Sequence, residues 1–127
     1  MKFEFTQIEN VYPTRGDTFS FRFSITGTES MALEPDEAYF SVKRTSSDSY
    51  VLQKSLNNGI TLFDEITNED STITKIYKVR VAPEDTQNLP LEKYLYDLEL
   101  TFGDDRYTPL KGNFNLTFDV TRRTSNG

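Results

Sequence analysis

The chain contains no cysteine, no histidine and no tryptophan, and these absences close whole classes of chemistry. Without cysteine there is no disulfide framework, no thiolate zinc site and no thiol nucleophile, and a reducing cytoplasm is the natural place of assembly. Without histidine, neither a Ser-His-Asp triad nor a His-ligated zinc site can be built. No apolar run approaches the ~20 residues of a membrane-spanning helix. Charged and polar residues interrupt the opening Met1-Lys-Phe-Glu-Phe5, so neither a signal peptide nor a membrane partner is expected. No Gly-rich phosphate loop precedes a helical pattern. Cations are also in the minority: 14 Lys and Arg against 20 Asp and Glu leave a formal charge of −6, which repels phosphate backbones and argues against a nucleic-acid partner.

What is present favours a thin, ring-filled β structure. With 127 residues the chain has the length of one domain with one core. The expected organisation is a single β-sandwich domain over residues 1–127, with a polar tail at 121–127. Hydrophobic residues reach only 35%, yet there are 10 Phe and 7 Tyr. Rings that bury about 150–250 Å² each fill a sandwich from few positions. In Tyr94-Leu-Tyr-Asp-Leu-Glu-Leu-Thr-Phe102 the large apolar residues Tyr94, Tyr96, Leu98, Leu100 and Phe102 fall at every second position, which predicts a strand with one buried face.

Residues 18–26 alternate in the same way, with Phe19, Phe21, Phe23 and Ile25 on one face, and Phe114, Leu116, Phe118 and Val120 share a register near the end. Phe3 and Phe5 mark a short first strand, and residues 38–43, 51–55, 60–63 and 73–81 add more. The last is ambiguous in phase, because Ile76 competes with Tyr77, Val79 and Val81. Asn57-Asn-Gly59 predicts a turn that needs φ > 0. Residues 64–71 read as an acidic loop and Gly103-Asp-Asp105 as a hairpin loop. Pro83-Glu-Asp-Thr86 reads as a single helical turn, with proline early and carboxylates at its positive end. The predicted fold is therefore all-β: an immunoglobulin-like antiparallel β-sandwich of about 7–9 strands, with one short helical turn before the Tyr94 strand. Its predicted core is Phe19, Phe21, Phe23, Ile25, Tyr96, Leu98, Leu100, Phe114, Leu116 and Phe118.

Four groups of residues invite a chemical reading. Asp97 and Glu99 lie on one face of one strand, about 7 Å apart, and paired carboxylates can cleave glycosidic bonds; the solvated face of a sandwich strand carries such pairs routinely. Asp64, Glu65, Asn68, Glu69 and Asp70 supply oxygens for Ca²⁺ but lack the Asp-x-Asp-x-Asp-Gly frame, so a solvated loop is the preferred reading. Arg15-Gly16-Asp17 matches the integrin-binding tripeptide, and its glycine equally suits a turn entering the Phe19 strand. Tyr94 and Tyr96 follow Pro83-Glu-Asp-Thr86 as the tyrosine corner of an immunoglobulin-like sandwich would, although residues 87–93 lengthen the spacing and leave open which Tyr serves. Exposed aromatics would instead form a sugar platform; the in-phase placement of most Phe and Tyr assigns them to the core. No catalytic, cofactor-binding or metal-binding residue is assigned.

Several segments in order resemble a known family: Arg15-Gly-Asp-Thr-Phe19, Phe40-Ser-Val-Lys43, Leu52-Gln-Lys-Ser-Leu-Asn-Asn-Gly-Ile60, Val81-Ala-Pro-Glu-Asp-Thr86, Tyr94-Leu-Tyr-Asp-Leu98 and Asp119-Val-Thr-Arg122. Over residues 15–122 the chain is similar to the small immunoglobulin-like proteins encoded among tail and structural genes of phages and prophages, and to the N-terminal domain of upper baseplate proteins of the siphophage type. The resemblance implies a virion component that attaches to other virion proteins, assembles in the bacterial cytoplasm and catalyses nothing. It is compatible with self-association into a small symmetric oligomer. Residues 1–14 add a strand-like segment ahead of the usual opening, and an upper baseplate protein would continue beyond residue 122. A free-standing adaptor or decoration protein and one excised domain both remain open. Residues 1–9 and 121–127 are the expected partner-facing segments. The rival function is a carbohydrate-binding module or adhesion domain for a host-surface glycan.

Overall fold

The computed structural model describes residues 3–28, 33–45 and 49–118. Among these residues the chain forms eight strands, β1 (Glu4–Gln7), β2 (Phe19–Thr28), β3 (Glu37–Arg44), β4 (Tyr50–Leu56), β5 (Gly59–Thr67), β6 (Thr72–Val81), β7 (Lys93–Phe102) and β8 (Asp105–Asn115). One helical turn, α1 (Pro83–Thr86), lies between β6 and β7. Period-two alternation sets what each strand buries. Phe21, Phe23 and Ile25 of β2, Tyr94, Tyr96, Leu98 and Leu100 of β7, and Phe114 of β8 all enter one core. The ambiguous phase of β6 resolves through its pairing, because Phe23 opposes Tyr77 and Ser24 opposes Ile76. Tyr77, Val79 and Val81 are therefore buried, and Ile76 takes the other face.

The sheet order is β1-β2-β6-β5-β4-β3-β7-β8. Its two halves, β1-β2-β6-β5 and β4-β3-β7-β8, follow the A-B-E-D and C′-C-F-G orders of immunoglobulin-type sandwiches. They face each other through rings: Phe21 lies 5.2 Å from Phe40 and 6.5 Å from Tyr96, and Phe19 lies 6.2 Å from Phe114, edge-on. The all-β, sandwich-like expectation therefore holds.

The sheet nevertheless departs from a fully antiparallel pair of separate sheets. Beyond the turn, where Asn57 and Gly59 have φ of 63° and 101°, β5 pairs in parallel with β4 through Ser55–Gly59 and Leu56–Ile60. This joint makes one mixed sheet of the two halves. At the other margin, Thr14 bridges Thr117 in parallel. There the Arg15 N–H donates to the Thr117 carbonyl, and the Thr117 N–H donates to the Pro13 carbonyl. The sheet is therefore nearly barrel-shaped.

Three local expectations need correction. Phe118 is 65% exposed, because β8 ends at Asn115 and the backbone of Thr117 turns to residues 13–15, which breaks the register that buries Phe114 and Leu116. Phe19 is only partly buried, at the rim of the core. Residues 64–67 belong to β5 rather than to a loop, and the turn is confined to residues 68–71. Residues 3–9 are built into the fold. β1 pairs with β2, Phe3 stacks on Phe102 with ring centres 4.6 Å apart, and Glu9 pairs with Arg22 at 3.0 Å. The polar tail expected at residues 121–127 lies outside the described residues.

Two stability measurements follow from this packing. Phe21→Ala should cost about 3–5 kcal/mol in denaturant melts, whereas Phe118→Ala should cost less than about 0.5 kcal/mol. Deleting residues 1–9 removes β1 and its aromatic contacts, and should lower the melting temperature sharply; an unchanged melt would contradict the assignment of these residues to the fold.

Candidate functional site

Among the described residues, three of the segments that carried the family resemblance, those holding Arg15-Gly16, Lys54 and Thr86, are linked by side-chain bonds. Gly16 has φ of 81°, a left-handed conformation that suits glycine. Its N–H donates to the Thr86 hydroxyl at 2.9 Å, and the Arg15 guanidinium donates to the Leu89 carbonyl at 3.4 Å. Arg15-Gly16-Asp17 is thus a turn fastened to α1 and the segment after it. Asp85 accepts the Ala82 N–H at 2.7 Å and pairs with Lys54 at 2.8 Å, which ties α1 to β4 beside the β4–β5 joint. The Tyr94 hydroxyl donates to the Pro90 carbonyl at 2.7 Å. This bond identifies Tyr94 as the tyrosine-corner residue, and burial pushes its phenol above the ordinary range. Tyr96 instead donates to the Gln7 side chain at 3.2 Å, joining β7 to β1.

The carboxylate groups engage separate partners, although Asp97 and Glu99 border one shallow depression on the sheet. Asp97 opposes Lys111 across the β7–β8 pair, while Glu99 pairs with Arg106 at 3.4 Å. In the acidic segment, Glu65 binds Lys75 at 3.0 Å, and Lys75 also holds Glu34 at 2.9 Å. Asp70 accepts the N–H and hydroxyl of Thr72, which draws its carboxyl below the usual range. Asn68 donates to the hydroxyls of Thr72 and Thr74. These side chains close a hairpin and face different ways. Among the described residues no group of three or more acidic side chains converges on a metal-sized space, and no helix is long and apolar enough to cross a membrane.

Two surfaces remain. The first is the free side of β5. After the two-residue joint, β5 pairs only with β6, and Leu62, Phe63 and Ile66 are 48%, 52% and 42% exposed. A bulge between Leu62 and Asp64 turns Phe63 outward, where Arg22 and Lys78 lie over its ring at 5.2 and 5.9 Å. The sequence signal was present, since neighbouring Leu62 and Phe63 cannot both face one core.

The second surface is the outer face of β4-β3-β7-β8, where depressions run in series. One, of about 330 Å³, lies by Tyr39, Gln53 and Glu99. It shares Ser41, Tyr50 and Asp97 with a neighbour of about 390 Å³ that reaches Lys43, Leu95 and Lys111. The second shares Tyr96 and Asn113 with a third, of about 560 Å³, which lies off that face at the margin between β8 and β1, among Gln7, Asn10, Tyr12 and Asn115. Of these residues the sequence reading singled out Asp97, Glu99 and Tyr96.

No protein-family model and no curated protein sequence matches this chain.

The corner makes a quantitative prediction. Tyr94→Phe keeps the ring but leaves the Pro90 carbonyl without its donor, and should cost about 1–2 kcal/mol in a chemical melt. Gly59→Ala should cost about 1–3 kcal/mol, because its φ is 101° and an added Cβ would lie 2.6 Å from the Lys54 side chain. A loss near zero in both would remove the corner and the joint as anchors of the fold.

Proposed function

We propose that this protein is a non-catalytic structural component of a phage or prophage virion, of the adaptor, baseplate or decoration type, acting by attachment to other virion proteins. The resemblance over residues 15–122 supplies the class. One observation supports attachment as the mode: β5 presents an open backbone edge with Leu62, Phe63 and Ile66 exposed along it. An uncovered edge strand with exposed apolar side chains can template a further strand.

The charge on that strand narrows the partner. β5 carries Asp64 and Glu65 and no cation, so antiparallel pairing with a second copy would bring carboxylates together. An extended apolar segment of another virion protein, bearing Lys or Arg opposite those carboxylates, fits better. The network at Arg15, Thr86 and Lys54 then acts as the rigid frame that holds the edge in place. Asp97 and Glu99 belong to the solvated face, and no turnover is assigned to them.

The experiment is incorporation into particles. An epitope-tagged copy expressed in the strain that carries the gene should co-sediment with virions released on induction. The Leu62→Lys, Ile66→Lys double variant should melt like the parent protein but fall at least about tenfold in particles. Absence of the parent protein from purified virions would overturn the virion assignment. Equal incorporation of the folded variant would move the attachment surface away from β5.

A further inference from the structure

The two depressions on the outer face of β4-β3-β7-β8, and the third beside them at the β8–β1 margin, hold functional groups that strand attachment does not use. Tyr50 and Tyr12 are 59% and 78% exposed, in a protein that wholly or partly buries most of its rings. Tyr50 stands where the first two depressions meet, and Tyr12 lines the third. Side-chain amides accompany them, with Gln53 in the first depression and Asn113 shared by the second and third. We propose that this trough is a binding site for an elongated, neutral oligosaccharide.

Three features select that chemistry. An amide donates and accepts at once, as a sugar hydroxyl does, so Gln53, Asn113 and Asn115 can each meet hydroxyls of either orientation. A tyrosine ring offers an apolar face with a polar tip, which suits a pyranose ring with its C–H face on one side and hydroxyls at its rim. The charged groups around the first two depressions balance, with Lys43 and Lys111 against Asp97 and Glu99. The trough therefore does not gather anions as a cationic cleft would, and its local balance contrasts with a chain of net charge −6. Shape adds to this. From β4 to β8 the face spans about 14 Å at the usual strand spacing, and the third depression extends it past β8, so several linked rings can lie along it where one cannot fill it.

Ser41 explains why the floor is pre-formed. It is buried in the middle of the face and accepts a hydrogen bond from Gln53 at 3.0 Å. That bond aims the Gln53 amide and leaves its oxygen to accept from a ligand. Gly112, opposite Tyr96 in the β7–β8 pair, keeps the backbone close to the Tyr96 ring, 3.4 Å from where a Cβ would stand. This inference does not rest on the virion reading, and it uses a face other than the β5 edge.

The test is titration of the full chain, labelled with ¹⁵N, with neutral oligomers of glucose, galactose, rhamnose and N-acetylglucosamine of increasing length, and with an oligogalacturonate as the anionic control. At least one neutral series should perturb the amides of Ser41, Asn113 and Asn115, with affinity rising as the chain lengthens. Tyr50→Ala and Tyr12→Ala should each weaken binding by at least about fivefold while leaving the melting temperature unchanged, and Tyr50→Phe should retain it. No perturbation by any neutral series, preference for the oligogalacturonate, or binding indifferent to both alanine variants would each overturn the proposal.

Discussion

Phe21 reaches from β2 across the interior to meet Phe40 of β3 and Tyr96 of β7 at tilted angles, and this aromatic packing is the contact on which the two halves of the sheet depend. Strand pairing holds each half together, but among the described residues backbone hydrogen bonds join the halves only at two margins, the β4–β5 joint and the Thr14–Thr117 bridge. Between those margins the halves are held chiefly by the burial of rings and aliphatic side chains, with the Tyr96–Gln7 hydrogen bond joining β7 to β1. With 35% hydrophobic residues the chain has few alternatives, and large rings at alternating positions give the most buried area per residue. The aromatic content is thus a consequence of building a two-layer core from a small apolar fraction.

The tripeptide Arg15-Gly16-Asp17 and the Pro83-Glu-Asp-Thr86 turn illustrate how sequence motifs take on meaning through their neighbours. Separately they suggest a recognition tripeptide and a stray helical turn. In the fold they are two sides of one junction, where a glycine N–H meets a buried threonine hydroxyl and an aspartate bridges its own turn to Lys54. The residues before β2, the end of β6 and the entry to β7 all converge there, with the Tyr94 hydroxyl closing the far side onto Pro90.

Much of the fold was legible because alternation is a local property. The β2 and β7 patterns identify their own buried faces, and the glycine at the β4–β5 turn announces its positive φ. Legibility fails where one strand's fate depends on another. Ile76 and Tyr77 compete until the register with Ser24 and Phe23 decides between them. Phe118 keeps the phase of Phe114, yet it is exposed because Thr117 bonds to a segment about a hundred residues earlier. The choice of Tyr94 over Tyr96 for the corner bond required the path of residues 87–93. The outer trough was the least legible feature, since Tyr12, Tyr50 and Asn113 are separated in the chain and meet only through the stacking order of strands.

The parallel bridge between Thr14 and Thr117 has a mechanical consequence. Phe3 sits by Phe102 and Tyr107, at the start of β8, whereas Thr117 lies beyond its other end. The first and last described residues therefore leave the body in opposite directions along the strands. Tension applied between them would pull the 13–15 segment and the end of β8 past one another lengthwise. The bonds from Arg15 and Thr117 would then be loaded together in shear instead of being unzipped one at a time, so a small patch of backbone can make the fold stiff along the strand axis.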